Sequence, residues 1–253
     1  MTSPDFSPVG ILLLIMSVGL GPLTWVHASD HVRVALSEQA GHVTVASARD
    51  LRLEMPSGDQ MEVASGVTII PKGHALQVDD KLVRGNHLAI QGTHEGLQVT
   101  LQAEPPDAAN QQWVVHGGLE ITVRNGHLLV VNVVDLEDYV AGVVGSEVNP
   151  EWHKELLRTQ AVAARTYVLH KKLQHAGLPF DVYASVQDQV YTGRQNVNDA
   201  VLDAVRRTRG QVLTYEGRPI FAAYSSTTAG PTEDAMNVWS LSLIHISEPT
   251  RPY

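Results

Sequence analysis

The sequence predicts an α+β protein, with a β-rich N-terminal region of hairpins followed by a helix-containing core. Three observations predict it. Apolar residues alternate with a period of two through the first half of the chain, the period changes to 3.6 after Asp135, and turn dipeptides separate the alternating runs. With 253 residues, 43% hydrophobic and 18% charged, the chain is long enough to bury a core and too apolar to stay disordered. The absence of cysteine excludes disulfides, thiolate nucleophiles and thiolate-ligated metals. A net charge of -9 and an aromatic content of 6% argue against nucleic acid as a partner.

Gly10 to Leu20 (GILLLIMSVGL) is apolar but shorter than the roughly 20 residues a spanning helix needs. It has the size of a signal-peptide core, and Val26-His27-Ala28 before Ser29 resembles a cleavage site. Residues 1–28 are therefore expected to be a signal peptide, with membrane contact only through this segment if it is left uncleaved. Residues 29–104 read as short strands. Val32 to Leu36 alternates, Leu51–Glu54 and Met61–Val63 flank Pro56-Ser57-Gly58-Asp59, and Leu88–Gln91 and Leu97–Leu101 flank Thr93-His94-Glu95-Gly96. Both pairs are expected to be hairpins. Residues 105–111, polar and opened by paired prolines, read as a linker. Residues 112–240 form the second unit, opening with a hairpin around Asn125-Gly126, which suits a type I′ turn.

The helices follow. Asp135 is the expected N-cap of the first, whose stripe is Leu136, Tyr139, Val140, Val143 and Val144. The second is expected to start at Asn149 as N-cap with Pro150 at the first position and to run to about Gln174. The third covers Asp199 to Thr208 and stops at Gly210. A last hairpin, Val212–Tyr215 with Ile220–Tyr224, turns at Glu216-Gly217-Arg218-Pro219. The tail 241–253 (LSLIHISEPTRPY) departs from the preceding pattern and resembles a translated sequencing adapter, so the domain is expected to be truncated there.

The twelve histidines are scattered without ligand spacing, and neither a Gly-rich phosphate loop nor a G-x-S-x-G stretch occurs. Glu147 stands out by environment. It follows an apolar helical stripe, among Val143, Val144 and Val148, where the charged form of a carboxyl group is disfavoured and general-acid behaviour is favoured. The alternative is an exposed carboxylate at a helix end. Arg165, inside the Ala161-Val162-Ala163-Ala164 stretch, needs an anion or carbonyl partner, either structural or from a substrate.

Residues 118–233 resemble the stage II sporulation protein D family, also called the amidase-enhancer or LytB-type domain. The segments that carry the resemblance are VNVVDLEDY from Val131, GVVGSE from Gly142, LRTQAVAARTY from Leu157, DQVYTG from Asp188, AVRRTRGQVL from Ala204 and YSSTTAGPTE from Tyr224. The resemblance implies an exported lytic transglycosylase, in the periplasm or cell wall, acting on peptide-stripped peptidoglycan glycan strands with Glu147 as its catalytic acid and base. It makes Gln160, Arg165, Asp188, Gln189, Tyr191, Tyr224, Ser226 and Thr227 candidates for substrate binding, while Tyr139 and Tyr167 are expected in the core. The chain departs from the family at Gly145 and Val148, where proline and methionine are usual. Some members bind zinc near the DQVYTG and YSS segments. Here Ser185, Gln187 and Ser225 stand in that neighbourhood, so neither metal nor cofactor is expected. The alternative function is a non-catalytic module that binds the wall or stimulates a wall amidase, which makes such an amidase a candidate partner.

Overall fold

The computed structural model describes residues 31–103 and 110–224. The expected signal segment, most of the expected 105–111 linker, Ser225, Ser226, Thr227 and the tail 241–253 lie outside the described residues. The described chain is α+β: a large curled sheet, antiparallel save for one short parallel pairing, and three helices packed on one another.

The sheet is organised by its first strand, β1 (His31–Ala46). Its first half pairs with a later strand, from His31↔Asp135 to Ala40↔Leu128, through two register shifts. Its second half pairs on one edge with residues 66–69 and on the other with residues 98–103. The shifts bend the strand, so a single element joins two parts of the sheet. β2 (Leu51–Glu54) and β3 (Gln60–Val63) form the expected hairpin, followed by β4 (Gly66–Lys72), β5 (Ala75–Val78) and β6 (Lys81–Val83), paired in series.

The second expected hairpin is corrected. β7 (His87–Ile90) pairs with β2 and with β10 (Gly118–Arg124), while β8 (Leu97–Ala103) pairs with β1 and β9 (Gln111–Val115). The turn between them forms, with Gly96 N–H donating to the Thr93 carbonyl at 3.1 Å. At Gly92, however, the chain crosses Gly117 so closely that a Cβ would meet its carbonyl oxygen at 1.9 Å. Beyond that crossing the two strands have different partners. Strands from both sides of residues 105–111 thus share one sheet.

β10 and β11 (His127–Asp135) form the expected hairpin, with Asn125 and Gly126 at φ of 50° and 83°, as a type I′ turn requires. The near-continuous apolar run of β11 is buried on both faces. Leu128, Val130 and Val134 join the main core, whereas Leu129 and Val131 meet Ala35 and Phe180 on the other side.

α1 (Leu136–Glu147) leaves β11 directly, capped by Asp135, whose side chain accepts from the N–H groups of Glu137 and Asp138. α2 (Lys154–Gln174) begins later than the sequence suggests, with His153 as its N-cap in place of Asn149. Asn149 instead closes a turn ahead of the helix, its side chain accepting from Glu151 N–H at 2.9 Å and its carbonyl from Trp152 N–H at 3.0 Å. The short strand β12 (Val182–Tyr183) lies parallel to β1, and α3 (Asp199–Arg207) ends ahead of Gly210 at φ 72°. β13 (Thr214–Tyr215) and β14 (Arg218–Pro219) make a smaller hairpin than expected, turning tightly at Glu216 and Gly217. Among the described residues no helix is long and apolar enough to cross a membrane.

Sheet and helices share one core. Val34 and Val130 from the sheet lie in the same buried cluster as Tyr139, Val140, Val143, Leu157, Ala161, Val201 and Ala204 from the helices. The Ala-rich face of α2 permits this packing.

Candidate active site

Two glycines in α1 set the architecture. A Cβ at Gly142 would lie 2.6 Å from the Gly193 carbonyl oxygen and from the Tyr191 ring, and one at Gly145 would lie 2.4 Å from the Asn196 carbonyl oxygen. Glycine inside a helix costs about 1 kcal/mol relative to alanine. Here it lets the loop spanning residues 188–197 lie directly on the last turns of α1. Ser146 fastens the contact, donating to the Gly142 carbonyl at 2.7 Å and bonding Thr192 at 2.7 Å.

The same loop reaches Glu147, the last residue of α1. Val190 N–H donates to Glu147 Oε1 at 2.8 Å. The carboxylate is half-buried, and its Oε2 has no partner among the described residues. The end of a helix and one backbone amide therefore orient the carboxylate. Gln189, next in the loop, is buried between two phenols: Tyr139 O–H donates to its Oε1 at 3.0 Å and its Nε2 donates to Tyr224 Oη at 2.9 Å. Burial and the neighbouring Glu147 carboxylate hold the Tyr224 phenol well above the usual tyrosine range. The Gln160 side chain approaches the same phenol, and its buried Nε2 has no hydrogen-bond partner within 3.5 Å among the described residues.

Asp188 has a different environment. Its side chain is 1% exposed and 2.9 Å from Lys171 Nζ. It also accepts from Tyr167 O–H at 2.9 Å and from Tyr183 N–H at 2.8 Å. Burial, and then the hydrogen bond to Asp188, push the Tyr167 phenol well above its ordinary value. A carboxylate satisfied by an ammonium, a phenol and an amide is a fixture of the fold that positions the loop.

The structure thus brings together Glu147, Gln160, Asp188, Gln189 and Tyr224, and separates two other candidates from them. Arg165 is fully buried. Its Nη2 is 2.6 Å from Glu137 Oε2, its Nε donates to Glu137 Oε1 at 3.0 Å, and its Nη1 faces the carbonyls of Ala161 and Gln211. These contacts make it the structural ion pair that ties α1 to α2. Tyr191 is also buried, stacked on Tyr139 with ring centroids 5.2 Å apart and donating to Asn132 Oδ1 at 2.8 Å. Tyr139 and Tyr167 are buried, as expected.

Sequence reasoning missed Lys171, Thr192 and the backbone N–H of Val190. Lys171 lies four residues after Tyr167 on the same helical face, a spacing that could have pointed to a shared partner. Nothing in the sequence signals a backbone donor. Ser185 and Gln187, in the neighbourhood where related domains bind zinc, are exposed and offer no thiolate or imidazole, so the residues present do not fit that metal. Among the described residues no group of three or more His, Cys, Asp or Glu side chains is arranged to hold a metal ion.

Residues 124–215, which include every candidate above except Tyr224, Ser226 and Thr227, match the family model described as Stage II sporulation protein. An uncharacterised protein of Brachyspira hyodysenteriae is 39% identical over 132 residues, covering 52% of this chain and 36% of that protein. The stage II sporulation protein D of Bacillus subtilis is 31% identical over 138 residues, 49% of this chain and 40% of its own length. The amidase enhancer of the same organism is 38% identical over 109 residues, 42% of this chain and 14% of its own length. The alignments thus take in at most about two fifths of these relatives. Through this segment, the chain is similar to the stage II sporulation protein D and amidase-enhancer family.

Proposed function

We propose that the chain acts in the cell wall as an exported lytic transglycosylase on peptidoglycan glycan strands, with Glu147 as its single acid and base. The observation that carries this reading is the contrast between two carboxylates. Glu147 has one oxygen without a hydrogen-bond partner among the described residues, whereas both oxygens of Asp188, in the loop beside it, are held, Oδ1 by Lys171 and Tyr167 and Oδ2 by Tyr183. A hydrolase of the ordinary kind needs two working carboxylates flanking the bond. A transglycosylase works with one.

In the proposed reaction Glu147 gives its proton to the oxygen bridging N-acetylmuramic acid and N-acetylglucosamine as the bond from that oxygen to C1 breaks. The carboxylate so formed takes the proton from the C6 hydroxyl of the muramic acid while O6 bonds to C1. The ring closes as a 1,6-anhydro sugar, no water is consumed, and Glu147 ends protonated as it began. The tethered hydroxyl replaces an activated water, an advantage that in well-oriented intramolecular reactions reaches effective concentrations of about 10⁵–10⁸ M. Gln160, whose buried Nε2 has no partner among the described residues, is proposed to meet a sugar hydroxyl or N-acetyl group.

The amidase-enhancer relative supports a second reading, in which the same site binds glycan without turnover and a wall amidase is the partner. Sedimentation of wild type and Glu147→Gln with insoluble peptidoglycan, beside assay of released glycan, separates the two. The enzyme reading expects equal binding and release by the wild type alone. Equal binding with release by neither supports the module.

A further inference from the structure

We infer that Thr192 is a positioning residue for Glu147: through Ser146 it holds the loop in the register that sets the Val190 amide on Glu147 Oε1. The inference rests on the proposed role of Glu147 as acid and base. It follows from the number of protons that two hydroxyls have to give. The Gly142 carbonyl can only accept, so the one proton of Ser146 goes to it, at 2.7 Å, one turn back along α1. The Ser146 and Thr192 oxygens are also 2.7 Å apart, and with the Ser146 proton committed that bond has Thr192 as its donor. Asn196 Nδ2 lies 3.3 Å from the Thr192 oxygen and donates to it. The bonds thus run one way, from Asn196 through Thr192 and Ser146 to the backbone of α1, and Thr192 is the link that crosses from loop to helix.

That crossing sets the one at the carboxylate. Ser146 and Glu147 are consecutive on α1, and Thr192 and Val190 lie two apart on the loop. Thr192 bonds Ser146, and Val190 N–H donates to Glu147 Oε1 at 2.8 Å. The loop backbone also lies against Gly142 and Gly145, at the carbonyls of Gly193 and Asn196. Packing against a bare glycine lets a backbone slide, whereas a directional hydroxyl bond fixes its register. With Oε1 held by the amide, protons are exchanged at Oε2, which has no hydrogen-bond partner among the described residues. Oε2 gives its proton to the bridging oxygen as the glycosidic bond breaks and takes one from the C6 hydroxyl as O6 bonds to C1. Val190 N–H stays on Oε1 throughout, and a donor fixed in advance favours the carboxylate that exists between the two transfers. A loop displaced along α1 loses that donor.

The test compares Thr192→Val, which removes the proton and keeps the branched shape, with Thr192→Ser, which keeps the proton. Thr192→Val is expected to lower kcat on glycan strands at least about tenfold, towards the roughly 10²-fold that a misplacement of about 1 Å costs, with KM within about twofold of wild type because Thr192 meets α1 and not the sugar. Thr192→Ser is expected to keep kcat within about twofold of wild type. Ser146→Ala removes the acceptor and is expected to match the loss in Thr192→Val, with the double variant no slower than either. It stands in if Thr192→Val does not fold. Hydrogen exchange of the Val190 amide, followed by NMR, is expected to be about tenfold faster in Thr192→Val while the amides of the central strands keep their protection. Wild-type kcat in Thr192→Val, an equal loss in Thr192→Ser, or unchanged exchange at Val190 overturns the inference. Wild-type protein and Glu147→Gln are assayed beside them. A wild type without cleavage refutes the enzyme reading and the inference with it, whereas an inactive Glu147→Gln beside a fully active Thr192→Val refutes only the role of Thr192.

Discussion

Replacing Arg165 with methionine separates a structural ion pair from a substrate-binding cation. The guanidinium is fully buried and uses both edges, one on the Glu137 carboxylate and one on the carbonyls of Ala161 and Gln211. Removing one partner of a buried pair costs about 3–5 kcal/mol, because the other charge is left uncompensated. Glu137 retains 16% exposure and can recover some hydration, so the lower end applies, about 3 kcal/mol. In a domain of this size each kcal/mol moves Tm by about 2–4 °C, so calorimetry is expected to show a fall of roughly 6–12 °C. Removing the stranded carboxylate as well, in Arg165→Met with Glu137→Gln, is expected to recover part of that loss. The folded fraction of either variant is expected to keep its KM for glycan. A raised KM with an unchanged Tm would refute the structural assignment and return Arg165 to substrate binding.

Two further outcomes follow from the packing and the buried phenols. Gly145→Ala gains helix propensity of about 1 kcal/mol but drives a Cβ to 2.4 Å from the Asn196 carbonyl oxygen. The overpacking, about 1–3 kcal/mol, is expected to dominate and to lower turnover because the displaced loop carries Val190, with urea denaturation reading the stability. Alkaline titration tests Tyr139, Tyr167, Tyr191 and Tyr224 together. Burial raises each above the ordinary value of 10.0, so between that value and the folded one the native state binds protons that the unfolded chain has released. Their contribution to stability is expected to be complete below pH 10 and to fall as pH rises above it. A flat stability profile from pH 9 to 12 would contradict the buried placement.

Much of this fold is visible in the residues because local signals there agree. Asn125-Gly126 dictates its hairpin, and Asp135 caps a helix whose apolar stripe has the right period. Leu88–Gln91 and Leu97–Leu101 misled because a turn does not determine pairing. Their partners lie in strands far along the chain, on either side of the crossing of Gly92 over Gly117. The start of α2 was misplaced since both Asn149 and His153 can accept from a backbone amide two residues on, and the choice between them depends on tertiary contacts. At the site, Glu147 is legible from its apolar neighbours and the family resemblance. What holds it is not, because a backbone amide at Val190 has no side-chain signature. Arg165 looked equally suited to a substrate or an internal anion until Glu137, 28 residues away, was placed against it. Gly145 departs from the family's usual proline, and the structure supplies its local reason in the loop lying on α1.

The central claim is that one carboxylate, Glu147, breaks the glycan by intramolecular ring closure. Mass spectrometry of peptide-free glycan strands incubated with the wild type and with Glu147→Gln tests it most directly. The account predicts 1,6-anhydro-muramic ends from the wild type and none from Glu147→Gln. Reducing ends from the wild type, or anhydro ends from both proteins, would contradict it.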